Sequence, residues 1–399
     1  MPASARTRTS WVNRTVLGIG LASLFSDWSH EMATVVLPTF LATLGAGAAW
    51  LGVIEGVSDG LSSLAKMSSG YYTDQLQRRK PIAILGYFVT ALGTASFGLA
   101  TSAWHVMAGR TAAWLGRGVR TPVRKALLAG AVTRETYGRA FGLERMMDTI
   151  GAIIGPATAI FLMETLHHRY SLFFALTLIP GLAAAGVITF LVKETKRCPV
   201  SHISLGERLK LLSPRCRLFA TAVGLFGSGA FAPTLLILFA IRALTPLTGA
   251  SRAANVAVAL YLMRNIFNAA FAFIAGWLGD HFEKRILLAA GYSMAAAMCL
   301  CIIFLPGRIW TLGVIFALAG ISVAFEETLE DSLCAELVSE ENHGVAFGAL
   351  AAINGIGDLL SSVIVGGLWT VMGTGVAFGF SATLSLAGAL LILMLRKPS

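Results

Sequence analysis

A helix that crosses the hydrocarbon core of a bilayer needs about twenty predominantly apolar residues in succession. Window after window of this chain meets that demand with almost no charge. Reading apolar runs broken by Gly, Pro and charge clusters gives about twelve spans, at 15–41, 48–72, 82–101, 104–126, 139–163, 170–192, 217–242, 253–278, 285–305, 309–331, 344–369 and 374–395. Only 13% of the residues are charged, where soluble domains carry about a quarter. A soluble helical bundle would show polar faces at helical period. These runs do not, so the chain reads as an all-α polytopic membrane protein with twelve transmembrane helices.

The N-terminal basic residues Arg6, Arg8 and Arg14 lead into an apolar segment too long for a signal-peptide core and without a convincing cleavage site. The first span is therefore expected to stay in the membrane. With the N-terminus inside, 22 of the 31 Lys and Arg fall in cytoplasmic segments and 4 outside, at Arg169, Arg242, Arg252 and Arg308. By the positive-inside rule both termini are expected to be cytoplasmic, and the expected membrane is a bacterial inner (plasma) membrane. The net charge of +10 then follows from topology and contact with anionic lipid headgroups, with no nucleic acid to invoke. Five cysteines, Cys198, Cys216, Cys299, Cys301 and Cys334, show no regular spacing and imply no disulfide framework. Cys299 and Cys301 lie two apart, which on a helix places them on different faces.

The chain also repeats itself. GYYTDQLQRR, from Gly70 to Arg79, returns as GWLGDHFEKR, from Gly276 to Arg285, which pairs Asp74 with Asp280 at an offset of 206. The stretch from Arg120 returns at the same offset from Glu326, with Ala140-Phe141-Gly142 repeated at Ala346-Phe347-Gly348. Two anchors at one offset divide the chain into six-span halves, 11–192 and 217–395, joined by a polar cytoplasmic linker, 193–216. Position is kept across the repeat while charge is reversed: Arg120 corresponds to Glu326, Arg124 to Glu330 and Lys125 to Asp331. One basic and one acidic helix end would then face each other across a cleft between the halves and hold its cytoplasmic entrance shut. The plain alternative is a basic set that obeys the positive-inside rule and an acidic set that is a solvated helix end. A charge swap at Arg124 and Glu330 separates the two readings.

Two six-helix halves carrying Gly-x-x-x-Asp-x-x-x-Arg-Arg between the second and third spans resemble the major facilitator superfamily over nearly the whole chain. Gly70, Asp74, Arg78 and Arg79 match that signature, Gln75 stands where the family usually has Arg, and Gly276, Asp280, Lys284 and Arg285 form a second copy. The resemblance implies the fold of two pseudo-symmetric six-helix bundles and a loop that helps lock the outward-open state. It also implies a coupling role for Arg110, which opens RTAAWLGRG in the fourth span, and an exporter-like element in Gly151, Gly155 and Pro156. Small residues at that last spacing also permit close helix packing.

Ionisable residues inside the membrane are functional candidates by default. The first span carries Asp27, His30 and Glu31 within one turn, and the second carries Glu55 and Asp59 at i, i+4, with Lys66 further along. Arg110 and Arg117 lie in the fourth span, Glu144, Arg145 and Asp148 in the fifth, Arg264 in the eighth and Asp358 in the eleventh. Glu144 or Asp148 would pair structurally with an arginine of the fourth span. Burial disfavours the charged form of a carboxylate and a neighbouring guanidinium favours it. Asp27 and Glu31, with Arg110, are thus the proton-coupling candidates. His30, Glu55, Asp59, Arg117, Arg264, Asn265 and Asn354 are substrate-binding candidates, and Arg117 and Arg264 are expected to receive an anionic group together, one from each half.

The leading expectation is a proton-coupled secondary transporter, working as an antiporter by alternating access and exporting a small organic molecule, anionic or amphiphilic. It would act as a monomer with substrate, protons and membrane lipids as its partners and without a cofactor. One alternative is a divalent-metal exporter that uses Asp27, His30 and Glu31 as ligands. Another is a membrane sensor that transports nothing. The chain has no Gly-x-x-x-x-Gly-Lys-Ser/Thr loop, so it is not expected to drive transport by its own ATP hydrolysis or to be an enzyme.

Overall fold

The computed structural model describes residues 10–46, 48–194, 207 and 213–395. Among them are fourteen α-helices. In the N-terminal group these are α1 (Arg14–Thr43), α2 (Ala48–Asp74), α3 (Lys80–Ala95), α4 (Ala103–Ala129), α5 (Tyr137–Thr165), α6 (Tyr170–Leu176) and α7 (Leu178–Leu191). The C-terminal group has α8 (Pro214–Gly227), α9 (Pro233–Thr248), α10 (Ala250–His281), α11 (Lys284–Phe304), α12 (Ile309–Leu337), α13 (His343–Met372) and α14 (Thr374–Leu393). Helices α6 and α7 together make the sixth span, α8 and α9 the seventh, so the fourteen helices are twelve spans. Most of the expected linker at 193–216 lies outside the described residues, as does Cys198.

The seventh span departs from the uninterrupted run expected at 217–242. Pro233 has no N–H to donate and disfavours a helical residue before it; Ala232 accordingly sits at φ −58°, ψ 140°. The chain leaves the helix after Gly227 and resumes at Pro233. Among the described residues eight helical segments are long and apolar enough to cross a membrane by length and composition alone. The other four spans are α1, α2 and α4, whose ionisable and small polar residues lower their hydropathy, and the interrupted seventh.

In lipid, helices gain little from hydrophobic burial against one another and associate where small residues let backbones approach. Within the N-terminal group α1 packs on α5 and α7, and α4 on α2 and α3; within the C-terminal group α12 packs on α10 and α11, and α14 on α11. Besides lesser contacts of α4 with α13 and of α5 with α12, the two most extensive crossings between the groups are α2 with α13 and α5 with α10, and the repeat relates them. Each is built on glycine. A Cβ on Gly70 would overlap the carbonyl oxygen of Gly344, and one on Gly138 that of Gly276.

Both crossings lie at the end of the molecule that carries the first and last described residues, the terminal end. There Asn13 donates to the Ala131 carbonyl after α4 (2.8 Å) and Arg285 to that of Leu395 (2.5 Å). The apolar core is continuous across the groups at this end, where Tyr137 and Phe141 share one cluster with Phe347. At the other end it divides into a cluster of N-terminal helices around Leu37 and Phe174 and one of C-terminal helices around Leu312 and Phe378. The α2 stripe of Gly70, Lys66 and Ser63 faces α13 as far as Gly355, whose Cβ would lie 2.6 Å from Ser63 Oγ. At helical spacing it continues as Asp59, Gly56 and Gly52, and a Cβ on either of those glycines would meet nothing within 4 Å. The molecule is closed at the terminal end and open at the other.

Candidate functional site

The first turn of a helix leaves backbone N–H groups without an internal partner. At the terminal end those of one group are capped from the other. Asp74, at the end of α2, accepts from the N–H of Gly344 (3.0 Å) and of Val345 (2.8 Å) in the first turn of α13, and from Arg79 Nη2 (2.5 Å). Asp280, on α10, accepts from the N–H of Gly138 (2.7 Å) and of Arg139 (3.0 Å) in the first turn of α5, and from Arg139 Nε (2.8 Å). Negative charge at a helix N-terminus is favourable by roughly 0.3–1 kcal/mol, and by up to about 2 when partly buried. The remaining signature residues act less directly. Arg79 donates to the Glu340 carbonyl across the groups (3.3 Å). Arg78 is exposed. Arg285 stays within its own group, on Glu283 (2.8 Å) and the chain end. The Gln75 side-chain nitrogen is buried without a partner.

Of the three charge-reversed pairs the repeat proposes, one meets directly. Lys125 Nζ lies 2.6 Å from Asp331 Oδ1 and bridges α4 and α12. Arg124 does not reach Glu330, which corrects the expected pairing. A carboxylate of its own group is nearer: Arg124 lies 2.8 Å from Glu144 and 3.6 Å from Asp148, and donates to Ser23 Oγ at 2.7 Å. Glu330 instead accepts from Tyr292 OH (2.5 Å) and from Asn354 Nδ2 (2.9 Å). Arg120 and Glu326 do not meet either, since Arg120 lies over the Tyr87 ring (4.1 Å) and Glu326 lines a cavity inside the C-terminal group. Besides Lys125–Asp331 and Arg139–Asp280, a further ion pair between the groups, Arg145 with Glu327, was not anticipated. Its sequence signal was Glu327 itself, beside Glu326 in the same acidic run.

Near the middle of the N-terminal group the polar residues of α1, α2 and α4 gather around Trp114. Asp27 is 5% exposed and lies 3.2 Å from Arg117 Nη2. Arg110 Nη2 donates to both oxygens of Glu55 (2.8 and 2.9 Å) and Nη1 to Thr34 (3.1 Å), while its guanidinium covers the Trp114 ring at 3.9 Å. Trp114 Nε1 donates to Asp59, and its ring lies 4.3 Å from that of His30. His30 Nε2 is 3.9 Å from Glu31 Oε1 and within 3.4 Å of Thr34 Oγ1. The helices reach this proximity through glycine: a Cβ on Gly155 would stand 2.6 Å from that of Glu31, so the GAIIGP element seats α5 against α1. Trp114 and Thr34 carry no charge and were missed, although Trp114 lies one turn from both Arg110 and Arg117.

Asp27, His30 and Glu31 do not converge as metal ligands. Asp27 turns to Arg117 and His30 to Trp114, and among the described residues no three His, Cys, Asp or Glu side chains lie together as a metal would need. Arg264 and Arg117 do not share a binding space either. Arg264 donates to Asn265 (3.1 Å) and lines a cavity of about 70 Å³ in the C-terminal group, with Phe226, Phe231, Met298 and Glu326. Arg117 lines a polar cavity of about 180 Å³ between the groups. Lys66 borders that cavity too, and a Cβ on Gly355 would stand 3.8 Å from its Nζ.

Residues 19–244 and 217–399 match the Major Facilitator Superfamily. An uncharacterised MFS-type transporter of Methanocaldococcus jannaschii is 26% identical over 384 residues, which cover 96% of this chain and 95% of that protein. The multidrug resistance protein MdtH of Salmonella paratyphi B is 29% identical over 118 residues, 29% of each chain. The crystal structure of the E. coli fucose:proton symporter FucP has the same fold, with a TM-score of 0.75 over 97% of this chain and 100% of that one at 17% identity. Paired six-span groups, glycine crossings at one end and a family match along the chain lead to one assignment: this protein is an integral membrane member of the major facilitator superfamily.

Proposed function

We propose that the protein is a proton-coupled secondary transporter that exports a small organic molecule by alternating access. The observation that carries this reading is the buried Asp27–Arg117 pair in a molecule closed at one end and open at the other. A carboxylate held by one guanidinium changes its protonation when that partner moves or is claimed by a substrate. Glu31, on the same helix face and 30% exposed, gives the proton a route to the open side. Arg110, fixed by Glu55 and Thr34, holds Trp114 and through it the shape of the site.

Residues 11–192 and 217–395 are the rocking units in this reading. The caps at Asp74 and Asp280 and the bridge at Lys125–Asp331 are the contacts that break when the terminal end opens. The bias of Lys and Arg supports a cytoplasmic position for that end, in a bacterial inner membrane, and with it an outward-facing conformation. Export is favoured by GAIIGP and by the partial likeness to a multidrug resistance protein. The protein acts as a monomer among membrane lipids.

The test is proton flux in proteoliposomes that hold a pH-sensitive dye, with wild type and Asp27→Asn challenged by a panel of organic anions and lipophilic cations. Substrate-driven proton movement is expected in wild type and is expected to fall to the level of empty liposomes in Asp27→Asn. Substrate movement unaccompanied by protons would refute coupling and leave Asp27 a structural or binding role.

A further inference from the structure

The 180 Å³ cavity between the groups sits behind the closed terminal end, and its charges do not pair off. Six cations line it, and one of them, Lys66, has no carboxylate within ion-pair distance among the described residues. Arg117 has Asp27, Arg124 has Glu144, Lys125 has Asp331 and Arg145 has Glu327. Arg120 has no carboxylate within ion-pair distance among the described residues. It is 2% exposed, and its Nε and Nη1 are buried with no hydrogen-bond partner among the described residues. Arg117 Nη1, one helical turn away, is in the same condition.

A buried guanidinium without a counterion is strongly disfavoured, and one face-on contact with Tyr87 offsets only part of that cost. The fold nevertheless makes room for it, because a Cβ on Gly86 would stand 2.8 Å from that of Arg120. Arg117, Arg120 and Arg124 recur at spacings of three and four along α4 and so form one basic ridge, with acidic partners at its two ends and none at its middle. At roughly 30 Å³ of liquid volume per water, the cavity has room for about six waters or one small oxyanion.

We propose that this cavity is an oxyanion site. Arg120 is its principal ligand, with Arg117 beside it, and a carboxylate or phosphate group is its occupant. A guanidinium fork matches the geometry of both groups, and chloride cannot accept two parallel hydrogen bonds in that way. The group belongs to the transported molecule, a step that rests on the transport reading above. Arg120 thereby receives the substrate's charge on the terminal side of Asp27, and Arg117 stands between the two.

The experiment is thermal unfolding of the purified full-length protein, titrated with inorganic phosphate, with succinate, and with sodium chloride at matched ionic strength. A saturable rise in Tm with phosphate or succinate and none with chloride is expected. Arg120→Gln should weaken the apparent affinity at least tenfold without lowering the Tm of the anion-free protein, and Arg120→Lys should retain part of the response. If wild type responds no more to phosphate and succinate than to chloride, the proposal is overturned, whatever the variants do. It is equally overturned if Arg120→Gln lowers the anion-free Tm and keeps the full response, since Arg120 is then structural. A response that shows only at molar anion and never saturates marks an adventitious ion only and counts against the site. Anion binding in a protein that moves no protons would keep the site and refute the transport reading; proton-coupled flux unchanged in Arg120→Gln would do the reverse.

Discussion

Gly70→Val is expected to drive the molecule out of the conformation described here. The residue lies where α2 crosses α13, and any Cβ there would occupy the position of the Gly344 carbonyl oxygen. That obstacle is backbone, so no rotamer change relieves it. Overpacking of a close contact costs about 1–3 kcal/mol, and a coupling of that size shifts a two-state equilibrium about 5- to 150-fold. The nearby Asp74 caps on Gly344 and Val345 would be lost in the same movement. Distances between spin labels at the exposed positions Arg78 and Glu341, in a background without native cysteines, would report it. Wild type should give a dominant short distance, and Gly70→Val a dominant longer one. Gly56→Val is the control, on the same face of the same helix but beyond the crossing, where a Cβ meets nothing within 4 Å. It should leave the distances unchanged. If both valines behave alike, the crossing does not hold the terminal end shut.

The glycine crossings show how far the sequence could be read. The 206-residue repeat locates Gly70 and Gly276 as equivalent and predicts that whatever one does the other does too. Their partners were hidden, because Gly344 and Gly138 contribute backbone, and backbone amides carry no signature in a sequence. The same holds for the caps. Asp74 and Asp280 stood out as a repeated pair, yet each is bonded to main-chain N–H groups that any residue could supply. Hydropathy located the spans closely, with 15–41 realised as Arg14–Thr43. It did not register that Pro233 would cut the seventh span in two. The polar site was legible as a set of charged residues and illegible as a geometry: Arg117 and Arg264 were expected to act together and line separate cavities.

Reversal of Lys125 or Asp331 alone is expected to destabilise the closed terminal end, and reversal of both together to restore it. The two side chains are 18% and 10% exposed and 2.6 Å apart on α4 and α12. An exposed ion pair is worth at most about 1 kcal/mol, and removal of one partner from a buried pair costs about 3–5 kcal/mol. A pair buried to this degree lies between those limits. Lys125→Glu, which sets two carboxylates against each other, should therefore reduce the closed population about tenfold or more, at roughly 1.4 kcal/mol per tenfold. The readout is the same label-to-label distance, together with transport in proteoliposomes. Lys125→Glu with Asp331→Lys should recover most of the closed population. Arg124→Glu with Glu330→Arg should show no such rescue. Arg124 already serves Glu144, Asp148 and Ser23, so its reversal leaves two buried carboxylates of its own group uncompensated, and a new arginine at position 330 would displace the hydrogen bonds of Tyr292 and Asn354. Both swaps are reversals at repeat-related positions and look alike in the sequence, so rescue in the first and not the second would show that a reversed charge forms a bridge only where neither partner has a nearer counterion in its own group. Rescue in neither would leave the glycine crossings, the two aspartate caps and the Arg145–Glu327 pair to hold this end closed.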